Sequence, residues 1–399
     1  MTETATHQSN HVLISGASFA GLTTAIWMHR LGYRVTIVEN APGLRKGGTP
    51  VDLKGDALRI LDRMGILPAV RAKALPPRTT EFAEIDGTPI TRTEPEPEPE
   101  LELELEPESE LANGAVVIDG HEVHGDEDVE IHRDDLLAIL FDEAQGDIEI
   151  VFGDSVTELT DTRDGVRAAF RNGPAREFAM VLGCDGNHST VRRLWFGPEA
   201  DYSHFLRHYT SVTIIDGMVL APWTTRLQNA PGRTLLLNSY EDTTDVVFVF
   251  RSEEEIPYDR HDVDEQKRII RDRFADAGLP FTDVLEQALT ADNFYFDKLS
   301  QNRLPAWSSG RVALVGDAAY CPSPAAGMGG SVAILGATAL YDAFRAVGGD
   351  MARAFAAYER SFRPTAEQIQ LEAEQFSIPM MFPDTAEAIA ARNALLREG

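Results

Sequence analysis

"HVLISGASFAGLTTAIWMHRLGYRVTIVE", residues 11–39, reads as an apolar strand, a glycine turn, a helix and a second strand. "GLTTAIWMHRLG" carries apolar residues at helical spacing before Gly32 closes it. In the turn "GASFAG" the glycines are Gly16 and Gly21, with Ser18 where a dinucleotide fingerprint has its second glycine. Gly16 permits the tight turn, Ser18 is small enough for backbone to approach a pyrophosphate, and Gly21 lets the helix press on the strand. The helix that opens around Phe19 and Ala20 offers unpaired N–H groups and a partial positive charge to phosphates. Glu39 ends the second strand, 23 positions after Gly16, where it can accept hydrogen bonds from an adenosine ribose and would repel a 2′-phosphate. An adenine dinucleotide is the expected ligand of this turn.

A second device of the same kind lies far along the chain. "RVALVGDAAYCPSPAAGMGG", residues 311–330, is again a short apolar strand, an acidic Gly-Asp turn and a glycine-rich run opening a helix. Between the two, "GDALRILDRMG" and "RDDLLAILFDEA" read as helices, and residues 155–183 as three short strands. "YTSVTII", "RTLLLNSY" and "DVVFVF" form a strand-rich block, followed by a helix over 262–277 and a long helical pair from about 329 onward. The last of these, "MARAFAAYERSFRPTAEQIQLEAEQF", is expected to be interrupted at Pro364. The interleaving predicts an α/β fold, a Rossmann-like nucleotide-binding domain with a β-rich domain inserted and a long C-terminal helix.

Composition narrows the function classes. The 64 acidic residues exceed the 36 basic ones, and a net charge of −28 repels nucleic acid and anionic membrane surfaces. No apolar run approaches the ~18–20 residues of a bilayer span, and "MTETATHQSN" lacks the order of a secretory signal, so a cytoplasmic, non-membrane protein is expected. Cys184 and Cys321 are the only cysteines, without metal-ligand spacing, which argues against a disulfide framework or a metal site. "EPEPEPELELELEPESE", residues 94–110, reads as a solvated extended loop, with an acidic docking arm as the alternative. Its strand-like flanks, "TTEFAEIDGTPITRT" and "GAVVIDGHEV", place it at the tip of a hairpin.

With "GCDGNHSTVRR" at 183–193 set between the two turns, the chain resembles the flavin-dependent aromatic hydroxylases. These are single-component FAD monooxygenases of the para-hydroxybenzoate hydroxylase fold, with the tetracycline-inactivating monooxygenases as near relatives. The resemblance implies that the first turn holds the ADP half of FAD and the second reaches the ribityl chain and isoalloxazine. It places Asp317 on a ribityl hydroxyl, and Pro324, Gly327 and Gly329 where bare backbone meets the flavin; Met328, where the family often has glutamine or another small residue, departs from the pattern and implies a more apolar pocket floor beside the cofactor. It sets Arg133 beside the cofactor phosphates or ribityl chain, Arg45 near the adenosine side and Asp52 close to the ring. Asp185 would link FAD to the nicotinamide cofactor, although a capped turn before a short helix carries the same residues.

The implied chemistry is hydride delivery from NADPH or NADH to FAD, then oxygenation of a phenolic, aromatic or polyketide-like small molecule by dioxygen through a flavin hydroperoxide. Baeyer–Villiger insertion, epoxidation and oxidation without oxygen transfer are alternatives, as is a non-enzymatic flavoprotein. No catalytic side chain stands out, because the cofactor carries the hard step. Substrate contacts are expected from the β-rich block: Tyr209, Ser211 and Thr213 on one face, and Asn238 and Tyr240 on opposite faces of the next strand. The expected division is 1–75, 119–190 and 293–346 for the FAD-binding domain, 76–118 and 191–292 for the substrate domain, and 347–399 for a C-terminal helical region.

Overall fold

The computed structural model describes residues 10–45, 47–95, 116–118, 121–123, 128–278 and 281–398. Its first body is a six-stranded sheet built from β1 (His11–Ser15), β2 (Arg34–Glu39), β9 (Glu149–Phe152), β13 (Met180–Gly183), β19 (Ser308–Ser309) and β20 (Val312–Leu314). The order is β19-β20-β13-β1-β2-β9, and every pairing except β19 with β20 is parallel. Parallel strands covered on both faces read as unbroken apolar runs, and all five residues of β1 are buried. Helix α1 (Phe19–Arg30) crosses from β1 to β2, and its Trp27 Nε1 donates to Thr338 Oγ1 at 2.9 Å.

The second body is a seven-stranded sheet of β4 (Thr79–Ala83), β5 (Pro89–Thr93), β14 (Ser203–Asp216), β15 (Thr224–Ala230), β16 (Arg233–Ser239), β17 (Thr243–Arg251) and β18 (Tyr295–Asn302). Its order is β18-β14-β17-β16-β15-β4-β5. One face carries Tyr209, Leu235, Leu237, Phe248 and Phe250 into a core with α6 (Val263–Phe274) and α7 (Phe281–Thr290). On the opposite face Val212, Ile214, Leu236, Asn238 and Val247 are only half-buried. That face looks toward the 311–330 turn, since Val249 and Leu299 pack with Ala325, Ile378 and Phe382.

Smaller pieces join the two bodies. β3 (Val51–Leu53) pairs with β8 (Val129–Ile131), setting Asp52 opposite Glu130. β10 (Val156–Asp161), β11 (Val166–Phe170) and β12 (Arg176–Phe178) form a three-stranded sheet. The remaining helices are α2 (Asp56–Met64), α3 (Leu67–Arg71), α4 (Arg133–Ala144), α5 (Thr190–Trp195), α8 (Asp317–Tyr320), α9 (Gly329–Ala346), α10 (Met351–Glu372), α11 (Ile378–Met381) and α12 (Ala386–Glu398). None of the helices among the described residues is long and apolar enough to cross a membrane.

The expected α/β architecture holds, and several details are corrected. Residues 155–183 hold four strands, and β15, β18 and α7 were not anticipated. Among the described residues, the stretches flanking the acidic segment pair within themselves: β4 pairs with β5, and β6 (Val116–Ile118) with β7 (His121–Val123). Each stretch contains its own Asp-Gly, the strongest short hairpin signal, at 86–87 and 119–120. Residues 96–110 of the acidic segment lie outside the described residues. Pro364 sits inside an uninterrupted α10, which buried Tyr358, Phe362, Ala366 and Ile369 anchor on both sides of it. The break falls instead at a π-turn over Ala373–Ser377. The boundary at 292/293 also moves, because β18 belongs to the seven-stranded sheet, and the one at 118/119 splits the β6–β7 pair.

Candidate active site

The two glycine turns leave the carboxyl ends of β1 and β20, which flank β13 on either side. β1, β13 and β20 lie side by side, the position where open α/β sheets bind ligands. Gly16 adopts φ +103°, and a Cβ there would stand 2.6 Å from the Cys184 carbonyl. At Gly21 a Cβ would stand 1.9 Å from the Gly16 carbonyl, so only glycine closes this turn onto its own helix. Ser18 caps α1, accepting from the Gly21 amide at 3.2 Å while its hydroxyl donates to the Cys184 carbonyl at 2.8 Å. The second turn touches the first: a Cβ on Gly316 would lie 2.7 Å from Ala20 Cβ, and one on Gly330 would meet Val51 and Phe19.

What the turns leave open is a set of donors. Neither the Phe19 nor the Ala20 amide, the first two of α1, meets a protein acceptor among the described residues. Glu39 accepts from the Ala17 amide through one oxygen and the Ala41 amide through the other, both at 2.8 Å, which fixes it at the end of β2. A carboxylate has about four lone-pair sites, so two remain for hydroxyl donors. Arg133 opens α4 with its guanidinium 4.9 Å from the Phe19 ring centroid. Its donors meet no protein acceptor among the described residues, while Asp317 and Arg45 are near enough to act on its charge. Burial lowers the Arg133 pKa and raises that of Asp317, and their mutual field opposes both shifts.

The second turn presents bare backbone. Pro324, Gly327 and Gly329 are exposed, and a Cβ built on either glycine meets nothing within 4 Å. Met328 precedes α9 without a side-chain cap, so the first amides and the positive end of an 18-residue helix have no side-chain acceptor at Met328. Ser331 Oγ donates to the Asp52 carbonyl at 2.9 Å, which ties β3 to this helix start. A glycine cradle that tolerates a Cβ only where no protein stands, an unmatched guanidinium and two helix N-termini fit a long dianionic cofactor such as FAD.

Three sequence-derived assignments change in this setting. Asp185 is a helix cap: its carboxylate accepts from the Thr190 and Val191 amides at 2.8 and 3.0 Å and from the Ser15 and Ser189 hydroxyls. Tyr209 stacks on Phe250 and Phe296 within the helix-covered core, and Ser211 and Thr213 share its face, so none of the three looks toward the turns. Alternation defined this set correctly but could not choose its side, which the packing of α6 and α7 decides. Asn238 and Tyr240 do not oppose each other: residues two apart share a face, and the Tyr240 hydroxyl donates to Asp245, directly across from Asn238. This is the face that looks toward the turns.

Sequence reasoning missed the groups around Tyr240. Arg78 lies 4.8 Å over its ring and forks onto Glu130 at 2.8 and 2.7 Å, His132 lies 5.5 Å away, and Trp223 meets it edge-on at 6.0 Å. The one available signal was Asp245 itself, a carboxylate at the head of the apolar run "DVVFVF". Also missed was Tyr295, half exposed along its ring while its hydroxyl donates to Asp297 at 3.2 Å.

A charged bridge spans the two bodies. His188, which follows β13, reaches Asp297 of β18 at 3.1 Å and Glu199 at 2.9 Å. Hydrogen bonds to Asp297 and Glu199 raise its pKa to about 9. A raised folded-state value stabilises the fold fully below the ordinary 6.5, and that contribution disappears as pH rises through about 9. The melting-temperature advantage of the natural protein over His188→Gln is therefore expected to shrink across this window. An advantage that is constant or grows with pH would contradict the bridge.

The chain is similar to known proteins over most of its length. An uncharacterized protein of Mycobacterium tuberculosis (strain ATCC 25618 / H37Rv) is 37% identical over 361 residues, covering 90% of this chain and 91% of that one. A flavin-dependent monooxygenase from an unknown prokaryotic organism is 31% identical over 365 residues, covering 90% and 87%. The crystal structure of the tetracycline destructase Tet(55) superposes with a TM-score of 0.80 at 28% identity, covering 98% of this chain and 95% of that one. The sequence profile of the family described as FAD binding domain matches residues 9–373. The glycine turns, the open helix ends and this match lead to one conclusion: the chain belongs to the FAD binding domain family and is an FAD-dependent oxidoreductase.

Proposed function

We propose that the protein is an NAD(P)H-dependent monooxygenase that transfers an atom of dioxygen to a phenolic, aromatic or polyketide-like small molecule. The observation that carries this reading is the meeting of two glycine turns at the ends of β1 and β20, either side of β13, opposite a half-open face of the inserted sheet. When bound, FAD supplies hydride acceptance and dioxygen activation. Gly16, Ser18, Phe19, Ala20, Gly21 and Glu39 would hold its adenosine diphosphate half. Arg133 and Asp317 would take the middle, with Arg45 flanking, and Pro324, Gly327, Met328, Gly329 and Asp52 the ring end. The protein's part is to orient the substrate on the face of Ile214, Asn238 and Asp245 and to keep water out. In this reading the substrate domain comprises β4–β5 and β14–β18.

The test is to purify the protein, measure its flavin content, and follow NADH and NADPH oxidation against a panel of phenols and aromatic polyketides under labelled dioxygen. Stoichiometric FAD and one labelled oxygen in the product are expected. Unlabelled product would assign an oxidation without oxygen transfer, and a protein that takes up no FAD would overturn the reading.

A further inference from the structure

Asp245 is 2% exposed and lies on the face of the inserted sheet that looks toward the two turns. Its strand neighbours are Ile214 on β14 and Asn238 on β16. A Cβ on Gly47 would stand 4.0 Å from Ile214 Cδ1, and the Gly47 amide donates to Asp134 in the first turn of α4, beside Arg133. The Tyr240 hydroxyl donates to one Asp245 oxygen at 2.8 Å, and the other has no protein donor among the described residues. Asn238 accepts at 2.8 Å from Thr225, which leaves its amide N–H groups facing the same side.

The charges around this carboxylate are accounted for one by one. Arg78 is the nearest cation, but Glu130 holds its fork bidentately. Asp52, opposite Glu130, has Lys54 at 3.9 Å. Arg78 still acts favourably on the Asp245 charge, His132 does so less, and Glu130 acts unfavourably. Of Asp52, Glu130 and Asp245, only Asp245 forms no ion pair among the described residues. A buried carboxylate without a charged partner is costly, and burial raises its pKa to about 6 despite the Tyr240 bond, so it is still largely ionised at neutral pH. Trp223 and Tyr240 wall the site with rings, and Ile214 and Leu236 give it an apolar floor.

We propose that Asp245 is the specificity-determining residue of the substrate site and receives a protonated amine carried by an aromatic substrate, while Asn238 and Tyr240 hold it in line. This deepens the function proposed above and rests on it. An aryl carboxylate of the same size would meet a buried negative charge at close range and be disfavoured, as attraction to one ligand and repulsion of its mimic together set specificity.

The test compares two probes of similar shape, tyramine and 3-(4-hydroxyphenyl)propanoate, on the FAD-loaded protein. Dissociation constants are read from the perturbation of the bound flavin absorbance and from the ligand-induced rise in melting temperature. The amine is expected to bind at least about tenfold more tightly than the acid, and Asp245→Asn, which keeps the shape and the Tyr240 contact, to bring that ratio close to one at unchanged flavin content. Equal binding, tighter binding of the acid, no binding of either probe at its solubility limit, or an unaltered ratio in the variant would overturn the assignment. Because neither readout needs turnover, such failures leave the monooxygenase reading standing. A protein that takes up no FAD would overturn both.

Discussion

Gly329→Val is expected to leave the protein folded and remove most of its FAD. A Cβ at this position meets no protein atom within 4 Å, and the residue is the first of α9 with no positive φ to strain. A valine here therefore costs the fold little, since its helix propensity is no worse than that of glycine. The same side chain would fill the space in which the bare Gly327–Gly329 backbone meets the ring, and overpacking such a contact costs about 1–3 kcal/mol. FAD affinity should fall roughly tenfold or more, with the melting temperature of the FAD-free protein nearly unchanged. Gly21→Val gives the contrast. Its Cβ would be 1.9 Å from the Gly16 carbonyl, so it should lose cofactor and stability together.

Arg133→Met should have the second largest effect. The guanidinium lies over the Phe19 ring, is held from below by Gly48, where a Cβ would come within 3.1 Å of its Cδ, and donates to no protein acceptor among the described residues. A cation kept in place with its fork unmatched is arranged for an anion that arrives later. A hydrogen bond to a charged group contributes about 1.5–3 kcal/mol, so losing it should weaken FAD roughly ten- to hundredfold. Methionine keeps the apolar stem on Phe19, which separates loss of charge from loss of packing. Arg133→Lys should recover part of the affinity, since it restores the charge but not the planar fork. Equilibrium titration of the FAD-free protein, followed by flavin fluorescence, reads all three variants.

The parts of this molecule legible in its sequence are those fixed by short-range rules. α4 covers the stretch "RDDLLAILFDEA" from end to end because its apolar spacing is helical throughout. Gly16 and Gly21 were readable because a tight turn and a close helix approach leave no other choice, and the Cβ contacts bear this out. Glu39 was readable from its position at a strand end. What failed depended on long-range packing. Which face of β14 is inward is decided by α6 and α7, some fifty residues and more downstream, so alternation could group Tyr209, Ser211 and Thr213 on one face but not choose its side. Asp185 carried two readings in its sequence, and only the hydrogen bonds from Thr190 and Val191 identify the cap. Arg78, Glu130, Trp223 and Asp245 come from four separate segments and form one group only because β3–β8 and the inserted sheet face each other.

The central claim is that Gly16 and Asp317, some three hundred residues apart in the chain, serve one cofactor. The most direct measurement is a crystal structure of the protein with FAD. We expect a single molecule whose adenosine ribose contacts Glu39, whose diphosphate lies on the Phe19 and Ala20 amides, and whose ring rests on Gly327 to Gly329. FAD bound elsewhere, or touching one turn and not the other, would contradict the account.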